Sequence, residues 1–81
     1  MRVRVKLFAA AKELAGCDEL AVEMPSGATV AELRETVVAQ YPQLNTVVSH
    51  ALWAVDAEYA NDNMLLNELS NIALIPPVSG G

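Results

Sequence analysis

The sequence contains few of the residues that build covalent or metal-bound cross-links. It has one cysteine, Cys17, and one histidine, His50, among 81 residues. A single cysteine cannot form a disulfide within the chain, and the two side chains together fall short of the four ligands of a structural zinc site. A four-cysteine iron–sulfur cluster is excluded on this chain alone. We therefore expect no bound metal, and the cysteine count is compatible with a reducing cytoplasm.

Long apolar runs and positive charge are also scarce. Although 53% of the residues are hydrophobic, no apolar run approaches the ~20 residues that span a bilayer. The opening "MRVRVKLF" is interrupted by charges, so it lacks the apolar core of a signal peptide. The net charge of -5 argues against nucleic-acid binding and fits a partner with a positive surface. We expect one small cytoplasmic domain that binds neither membrane nor nucleic acid.

Two segments near the start alternate apolar and polar residues with the period of a half-buried strand. In "RVRVKLF" (2–8) two valines and a leucine face one way, whereas the arginines, the lysine and Phe8 face the other. "ELAVEM" (19–24) alternates in the same way. Between them, "AAAKELAG" (9–16) predicts a short helical turn closed by glycine. The two strands can therefore pair as an antiparallel hairpin with a long connection.

The segment "TVAELRETVVAQYP" (29–42) predicts the main helix. Thr29 is a suitable N-cap, and Glu32 three residues later completes a capping box. The residues at helical spacing, which predict the buried stripe, are Val30, Leu33, Val37 and Tyr41. Pro42 cannot continue a helix, so we expect the helix to end near the preceding residue.

Three short apolar segments in the last third predict further strands. They are "ALWAVD" (51–56), "EYA" (58–60) and "IALI" (72–75), of which the second is the weakest. The polar, leucine-centred stretch "NDNMLLNELSN" (61–71) predicts a turn and a short helical piece. The order strand, strand, helix, strands indicates an α+β domain with one main helix on one face of a sheet. We assign this domain to residues 1–75.

No residue pattern in this domain indicates catalysis. Cys17 lies beside two acids that disfavour a thiolate, and His50 has no acid–serine or acid–cysteine partner in the sequence. No serine stands in a nucleophile motif, and the carboxylates are scattered. Phe8, Tyr59 and Ile75 are candidates for binding. If they share one sheet face, they form an apolar docking patch ringed by charge; otherwise they are ordinary core or rim residues.

The final "IPPVSGG" is the most distinctive segment. Pro76 and Pro77 lack backbone donors, so they are expected to end the last strand and hold the chain extended. Gly80 and Gly81 carry no side chains, so nothing crowds the terminal carboxylate and its carbonyl is open to attack. We interpret residues 76–81 as an extended tail that enters a narrow channel in another protein. The alternative is a flexible stub without a role.

The whole chain resembles the small subunit of molybdopterin synthase, a β-grasp sulfur carrier of the ubiquitin-like type. The resemblance rests on "LFAAAKELAG" (7–16), "ATVAELRETV" (28–37), the "AVD" strand and above all "IPPVSGG". It implies a mixed sheet of four to five strands on one main helix, the first and last strands parallel at its centre, and a flexible Gly-Gly tail. Two features depart from the family pattern. "NELSN" (67–71) lacks the glycine of an Asp-Gly-Asp-Glu-type turn, and Arg4 and Lys6 replace more apolar residues.

The resemblance also implies the chemistry. An E1-like enzyme is expected to adenylate the Gly81 carboxylate with ATP, and sulfur from a persulfide donor to displace AMP and leave a thiocarboxylate. The tail is then expected to enter the large subunit, in a heterotetramer of two small and two large subunits, and to pass sulfur to cyclic pyranopterin monophosphate. Catalytic residues are expected on that partner, and this chain holds no cofactor tightly. The residues implied in partner binding are Phe8, Tyr59, Ile75, Pro76, Pro77, Val78 and Ser79, with Gly80 beside the reacting terminus.

Three alternatives stay open from the sequence. A related β-grasp carrier could serve thiamine thiazole or another thiolated product, although thiamine carriers tend to be shorter and to lack the Pro-Pro-Val-Ser lead-in. A protein modifier would instead form isopeptide bonds with lysines. A plain binding module would make no use of its tail.

Overall fold

The structure, a computed structural model, describes residues 1–77. In chain order the elements are β1 (Arg2–Leu7), α1 (Ala9–Ala15), β2 (Glu19–Glu23), α2 (Val30–Gln40), a 3-10 helix (Pro42–Leu44), α3 (Asn45–His50), β3 (Leu52–Val55), β4 (Glu58–Tyr59) and β5 (Ile72–Ile75). The predicted tail residues Val78, Ser79, Gly80 and Gly81 lie outside the described residues.

The strands form one mixed five-stranded sheet in the order β2-β1-β5-β3-β4. β1 pairs antiparallel with β2 and parallel with β5, whereas β3 pairs antiparallel with both β5 and β4. The first and last strands therefore lie side by side and parallel at the centre, as predicted. All three strands expected in the last third are confirmed, and the whole is the α+β, β-grasp arrangement.

One face of the sheet packs against the helices and forms the core. In β1 the burial alternates strictly, and the valines and leucine predicted to face inward are buried. Trp53 of β3 and Leu74 of β5 lie opposite each other and are buried in the same cluster. The predicted stripe of α2 is confirmed at Val30, Leu33 and Val37, while Tyr41 at the helix end is only half-buried. Each fully buried aliphatic side chain stabilises the fold by roughly 1.5–3 kcal/mol.

The N-terminus of α2 is capped completely. Thr29 Oγ1 accepts a hydrogen bond from the Glu32 backbone N–H at 3.3 Å, and Glu32 Oε1 accepts one from the Thr29 N–H at 3.0 Å, which confirms the capping box. The first two helical N–H groups, of Val30 and Ala31, donate to carbonyls of the loop that follows β4, those of Met64 and Asp62. The N–H groups that a helix start leaves unpaired are thus all satisfied, and the loop is attached to the helix.

A two-residue turn, Asp56 and Ala57, joins β3 to β4. Both residues have positive φ, 52° and 68°, which is the backbone of a type I′ hairpin. An alanine in this region is strained because its Cβ approaches the following carbonyl, at a cost of about 1–2 kcal/mol. Pairing of the flanking strand residues holds the turn in this conformation.

Two elements differ from the sequence-based expectation. Residues 61–71 were predicted to include a short helical piece, which is wrong: this segment forms turns and one isolated bridge between Leu65 and Thr29. The Asp62 and Met64 carbonyls accept N–H groups of α2, which holds this part of the segment against the helix start in a non-helical conformation. Conversely, the 3-10 helix and α3 were not predicted. They form because Leu44 and Val48 pack into the core, which outweighs the low helix propensity of a Thr-Val-Val run.

Candidate functional site

The sheet face opposite the helices carries one shallow depression that contains the three predicted binding residues of the body. Phe8, Tyr59 and Ile75 all line it. The three cations of β1 lie beside them: Arg2, Arg4 and Lys6. Phe8 is 47% exposed and Tyr59 70% exposed, which is a large apolar area left to solvent for side chains of this size. Phe8, Tyr59 and Ile75 therefore share one sheet face, which is the condition that the docking interpretation set.

The small side chains of β3 and β5 keep this depression open. Ala54 lies opposite Ala73 in the neighbouring strand and opposite Tyr59 on its other side. Ile75 lies opposite Leu52, which is 55% exposed and shares the face of Ala54 by the alternation of the strand. The result is a surface of two alanines between larger apolar groups.

The position of Phe8 is set by the backbone on either side of it. Phe8 has extended φ and ψ and is the N-cap of α1, and its carbonyl accepts the N–H of Ala11 at 3.1 Å. Ala9 directly after it has a φ of 50°, a conformation that non-glycine residues adopt rarely. The helix then ends at Gly16 in the left-handed conformation, as predicted. This sharp corner projects the phenyl ring at the end of β1 instead of into the core.

The charges around the depression differ in whether they are paired. Arg2 contacts Glu23 at 3.0 Å and Arg4 contacts Glu19 at 4.0 Å, both across the β1–β2 pair and both exposed. Exposed pairs of this kind contribute little stability. Lys6 and Glu68 line the depression without an ion pair to any residue between 1 and 77. These two charges are available to a partner.

The base of the tail lies at one end of the depression. β5 ends at Ile75, and the next residue, Pro76, is buried, whereas Pro77 is exposed. The proline pair thus spans the edge of the folded body, directly after the strand. The predicted site residues Val78, Ser79, Gly80 and Gly81 lie beyond the residues that the structure describes.

Sequence reasoning missed two apolar residues of this face. Leu52 belongs to it because Trp53 and Val55 point to the core, so the strand period alone could have placed it. Leu69, which is 87% exposed and lines the depression, lies in the segment wrongly predicted to be partly helical. Only the folded turn places Leu69 beside the sheet.

The remaining candidates are not brought together. Cys17 is exposed in the turn after α1, and His50 ends α3 with its Nδ1 3.1 Å from the carbonyl oxygen of Thr46. Across residues 1–77, no three histidine, cysteine or acidic side chains cluster closely enough to hold a metal. No helix in this part of the chain has the length and hydropathy to cross a membrane.

Comparison with known proteins identifies the family. The ThiS family model matches residues 5–81. The chain belongs to the ThiS family. This ThiS-family chain is 41% identical over 81 residues to the molybdopterin synthase sulfur carrier subunit of Caenorhabditis briggsae, covering 98% of this chain and 96% of the relative. It is 37% identical to the protein of the same name from Arabidopsis thaliana, over 100% of this chain and 84% of the relative.

Solved structures give the same fold for the ThiS-family chain. SAMP1 from Haloferax volcanii superposes with a TM-score of 0.88 at 29% identity, covering all of both chains. A chain from the complex of subunits 1 and 2 of the Helicobacter pylori molybdopterin-converting factor superposes with a TM-score of 0.73 at 26% identity, again over all of both chains. The resemblance inferred from the sequence motifs is confirmed, and so is the ubiquitin-like β-grasp fold.

Proposed function

We propose that this chain is a sulfur carrier of molybdenum cofactor biosynthesis that holds its sulfur as a thiocarboxylate on Gly81. The observation that carries the proposal is the full-length match to relatives named molybdopterin synthase sulfur carrier subunit. The family match runs to residue 81, so it includes the Gly-Gly end. The depression beside the tail base, which combines exposed apolar side chains with charged ones, is the docking surface that we propose for a carrier without catalytic residues.

The terminal carboxylate must be activated before it can accept sulfur, because a carboxylate is a poor electrophile. In the proposed sequence, an E1-like enzyme joins the Gly81 carboxylate to the AMP portion of ATP and releases pyrophosphate. A persulfide sulfur of a donor protein then attacks the carbonyl, and AMP leaves with the bonding electron pair. A thiol cleaves the resulting acyl disulfide, forming a disulfide with the donor and leaving the thiocarboxylate on Gly81.

The charged carrier then docks on the large synthase subunit. Phe8, Tyr59 and Ile75 are proposed to fill apolar pockets there, while the prolines after Ile75 direct the tail toward the active site. The thiocarboxylate sulfur attacks cyclic pyranopterin monophosphate, and water releases the carrier with a plain carboxylate. Two charged carriers supply the two sulfurs of one dithiolene, which fits a heterotetramer. All these steps take place in a cytoplasmic setting.

The test is mass spectrometry of the C-terminal peptide after expression with an activating enzyme and a persulfide donor. The proposal expects sulfur in place of one terminal oxygen in the wild type. Gly81→Ala is expected to fold and dock normally but to transfer sulfur slowly, because the added methyl group crowds the reacting carbonyl. Glu35→Gln, at an exposed residue of α2 that does not line the depression, serves as the control and is expected to load and transfer like the wild type.

Two results would contradict the proposal. One is the absence of a thiocarboxylate under conditions in which a known carrier is loaded. The other is a marked fall of the melting temperature in Gly81→Ala, since this would make the tail a structural element instead of a reacting arm.

A second candidate function is protein modification. It is favoured by the similarity to SAMP1, the small archaeal modifier protein 1 of Haloferax volcanii. Under this alternative the same activated Gly81 carbonyl is attacked by a lysine amine, and an isopeptide bond forms. Lysine adducts of the chain without any thiocarboxylate would favour the modifier over the carrier.

A further inference from the structure

Leu69 is the most exposed large apolar side chain among the residues that the structure describes. It is 87% exposed and lies at the rim of the depression lined by Phe8, Tyr59 and Ile75. A single exposed leucine is ordinary on a protein surface. What distinguishes Leu69 is that it extends an apolar surface already formed by three other large side chains.

The turn that carries Leu69, residues Asn67–Asn71, is held in one conformation by its own side chains. Asn67 Oδ1 accepts the Leu69 N–H at 2.8 Å, and Ser70 Oγ accepts the Asn67 N–H at 3.0 Å. The Ser70 N–H donates back to the Asn67 carbonyl at 3.1 Å, and Ser70 is buried. These bonds hold the turn without any residue of positive φ, so the turn requires no glycine.

The turn is also attached to the sheet. The Asn71 N–H donates to Asp56 Oδ1 at 2.9 Å, and the Asp56 N–H donates to the Asn71 carbonyl at 2.8 Å. The 67–71 turn is therefore tied to the sheet by a reciprocal pair of hydrogen bonds. Because the backbone of Leu69 is already held, covering it costs mainly the rotamer entropy of its side chain and little backbone entropy.

The turn and the tail base lie at opposite ends of the same strand. β5 begins after Asn71 and ends at Ile75, and its four residues span roughly 13 Å. A partner that contacts only the Ile75 end can pivot about it. A second contact at the Leu69 end fixes the axis of β5, and with it the direction in which the chain continues past Pro76.

We propose that the 67–71 turn is a second docking element for the large synthase subunit, with Leu69 entering an apolar pocket and Glu68 meeting a cation. The inference rests on the carrier function proposed above and adds the chemistry of the partner surface. Glu68 lines the depression and forms no ion pair within residues 1–77. Because Lys6 lines the same depression without an ion pair within residues 1–77, the partner cation is expected opposite Glu68 at the turn and not across the whole depression.

The experiment measures binding of the uncharged full-length chain to the large synthase subunit encoded in the same genome. Leu69→Ser is compared with Leu65→Ser, a leucine of the same loop that is 67% exposed and does not line the depression. We expect Leu69→Ser to weaken binding and so to raise the dissociation constant roughly tenfold to hundredfold. Leu65→Ser is expected to change it by less than about twofold. Unchanged melting temperatures show that both variants are folded.

The charge is tested with a second matched pair. Glu68→Gln is compared with Glu35→Gln, which removes an exposed carboxylate of α2 on the opposite layer and changes the net charge equally. Glu68→Gln is expected to slow association and to reduce its dependence on salt, while Glu35→Gln has a smaller effect on both.

Three outcomes would overturn the inference. One is equal binding by Leu69→Ser and Leu65→Ser. Another is self-association of the free chain that Leu69→Ser abolishes while binding to the large subunit stays unchanged, because a second copy then covers the leucine. The third is failure of the wild type to bind the large subunit at all, which removes the proposed function together with this inference. In the first two cases the carrier function stands.

Discussion

Replacing the N-cap of α2 tests whether the local contacts at the start of this helix stabilise the fold as the structure indicates. In Thr29→Ala, the Glu32 N–H loses its acceptor, and the hydroxyl contact with Glu32 Oε1 at 3.2 Å is lost as well. The Thr29 N–H keeps its bond to the same carboxylate. The Val30 and Ala31 N–H groups keep their carbonyl partners in the loop after β4.

The expected loss of stability follows from the number of hydrogen bonds that the substitution removes. Loss of a threonine N-cap costs about 0.5–2 kcal/mol in proteins. In Thr29→Ala only the Glu32 N–H loses its partner, its bond to Thr29 Oγ1 is long, and it can bond to water instead. We therefore expect a loss of stability at the low end of this range, about 0.5–1 kcal/mol. For a domain of this size that corresponds to a fall of the melting temperature of about 2–8 °C.

Thermal and urea unfolding, followed through the fluorescence of the single tryptophan Trp53, provide the assay. Thr36→Ala is the matched control, because the Thr36 hydroxyl only donates to the Glu32 carbonyl inside the helix. Alanine has the higher helix propensity, so this control is expected to be neutral or slightly stabilised. Equal destabilisation of the two variants, or no effect of Thr29→Ala, would refute the reasoning about the cap.

Two further predictions concern the hairpin turn and the ion pair at the loop. Ala57→Gly is expected to raise the urea midpoint, with a gain of about 1 kcal/mol from released strain; Ala10→Gly in α1 is the control and is expected to destabilise by a similar amount. The Arg34 guanidinium donates to both oxygens of Asp62, at 2.6 and 2.9 Å, and holds the pKa of that carboxyl below its usual value of 3.8. Above pH 3.8 the wild type is therefore expected to be more stable than Asp62→Asn. This difference in stability is expected to disappear as the pH falls and the Asp62 carboxyl is protonated in the folded protein.

Each of these predictions has its own contrary result. An unchanged or lower midpoint in Ala57→Gly would show that the positive φ of this residue carries no strain. A stability difference between the wild type and Asp62→Asn that persists well below pH 3.8 would show that the pair is not linked to protonation of Asp62, and equilibrium unfolding over a pH series distinguishes the cases.

The elements with a clear period could be predicted from the sequence. The alternation in β1 and β2, the capping box of α2 and the short strands after it all reflect local patterns, and the structure confirms them. α3 could not be predicted because three of its six residues, Thr46, Val47 and Val48, are β-branched, and its helical state depends on burial of Val48. The loop after β4 was misread because Leu66 is buried while its neighbour Leu65 is exposed, an arrangement set by tertiary contacts with α2.

The residues of the candidate site likewise divide into those that the strand period could place and those that only the folded structure places. The pleat of β1, continued by one residue, predicts Phe8 on the face opposite the core, and the burial along β1 follows this alternation. That Tyr59 and Ile75 share this face required the strand order, because β4 and β5 come together only through β3. The position of Leu69 could not be predicted from any sequence period, because it depends on a turn held by the Asn67 and Ser70 side chains.

The central position of β5 has a consequence for synthesis of the protein. β5 is the last strand of the described chain, yet it lies between β1 and β3. A chain translated only as far as Asn71 therefore holds two separate strand pairs, each with an unpaired edge where β5 belongs. Such edges recruit other chains, so a stalled or truncated product is a target for aggregation and for chaperones. The sheet closes only when the four residues directly before Pro76 are added, so residues 76–81 are synthesised only after the last strand of the sheet.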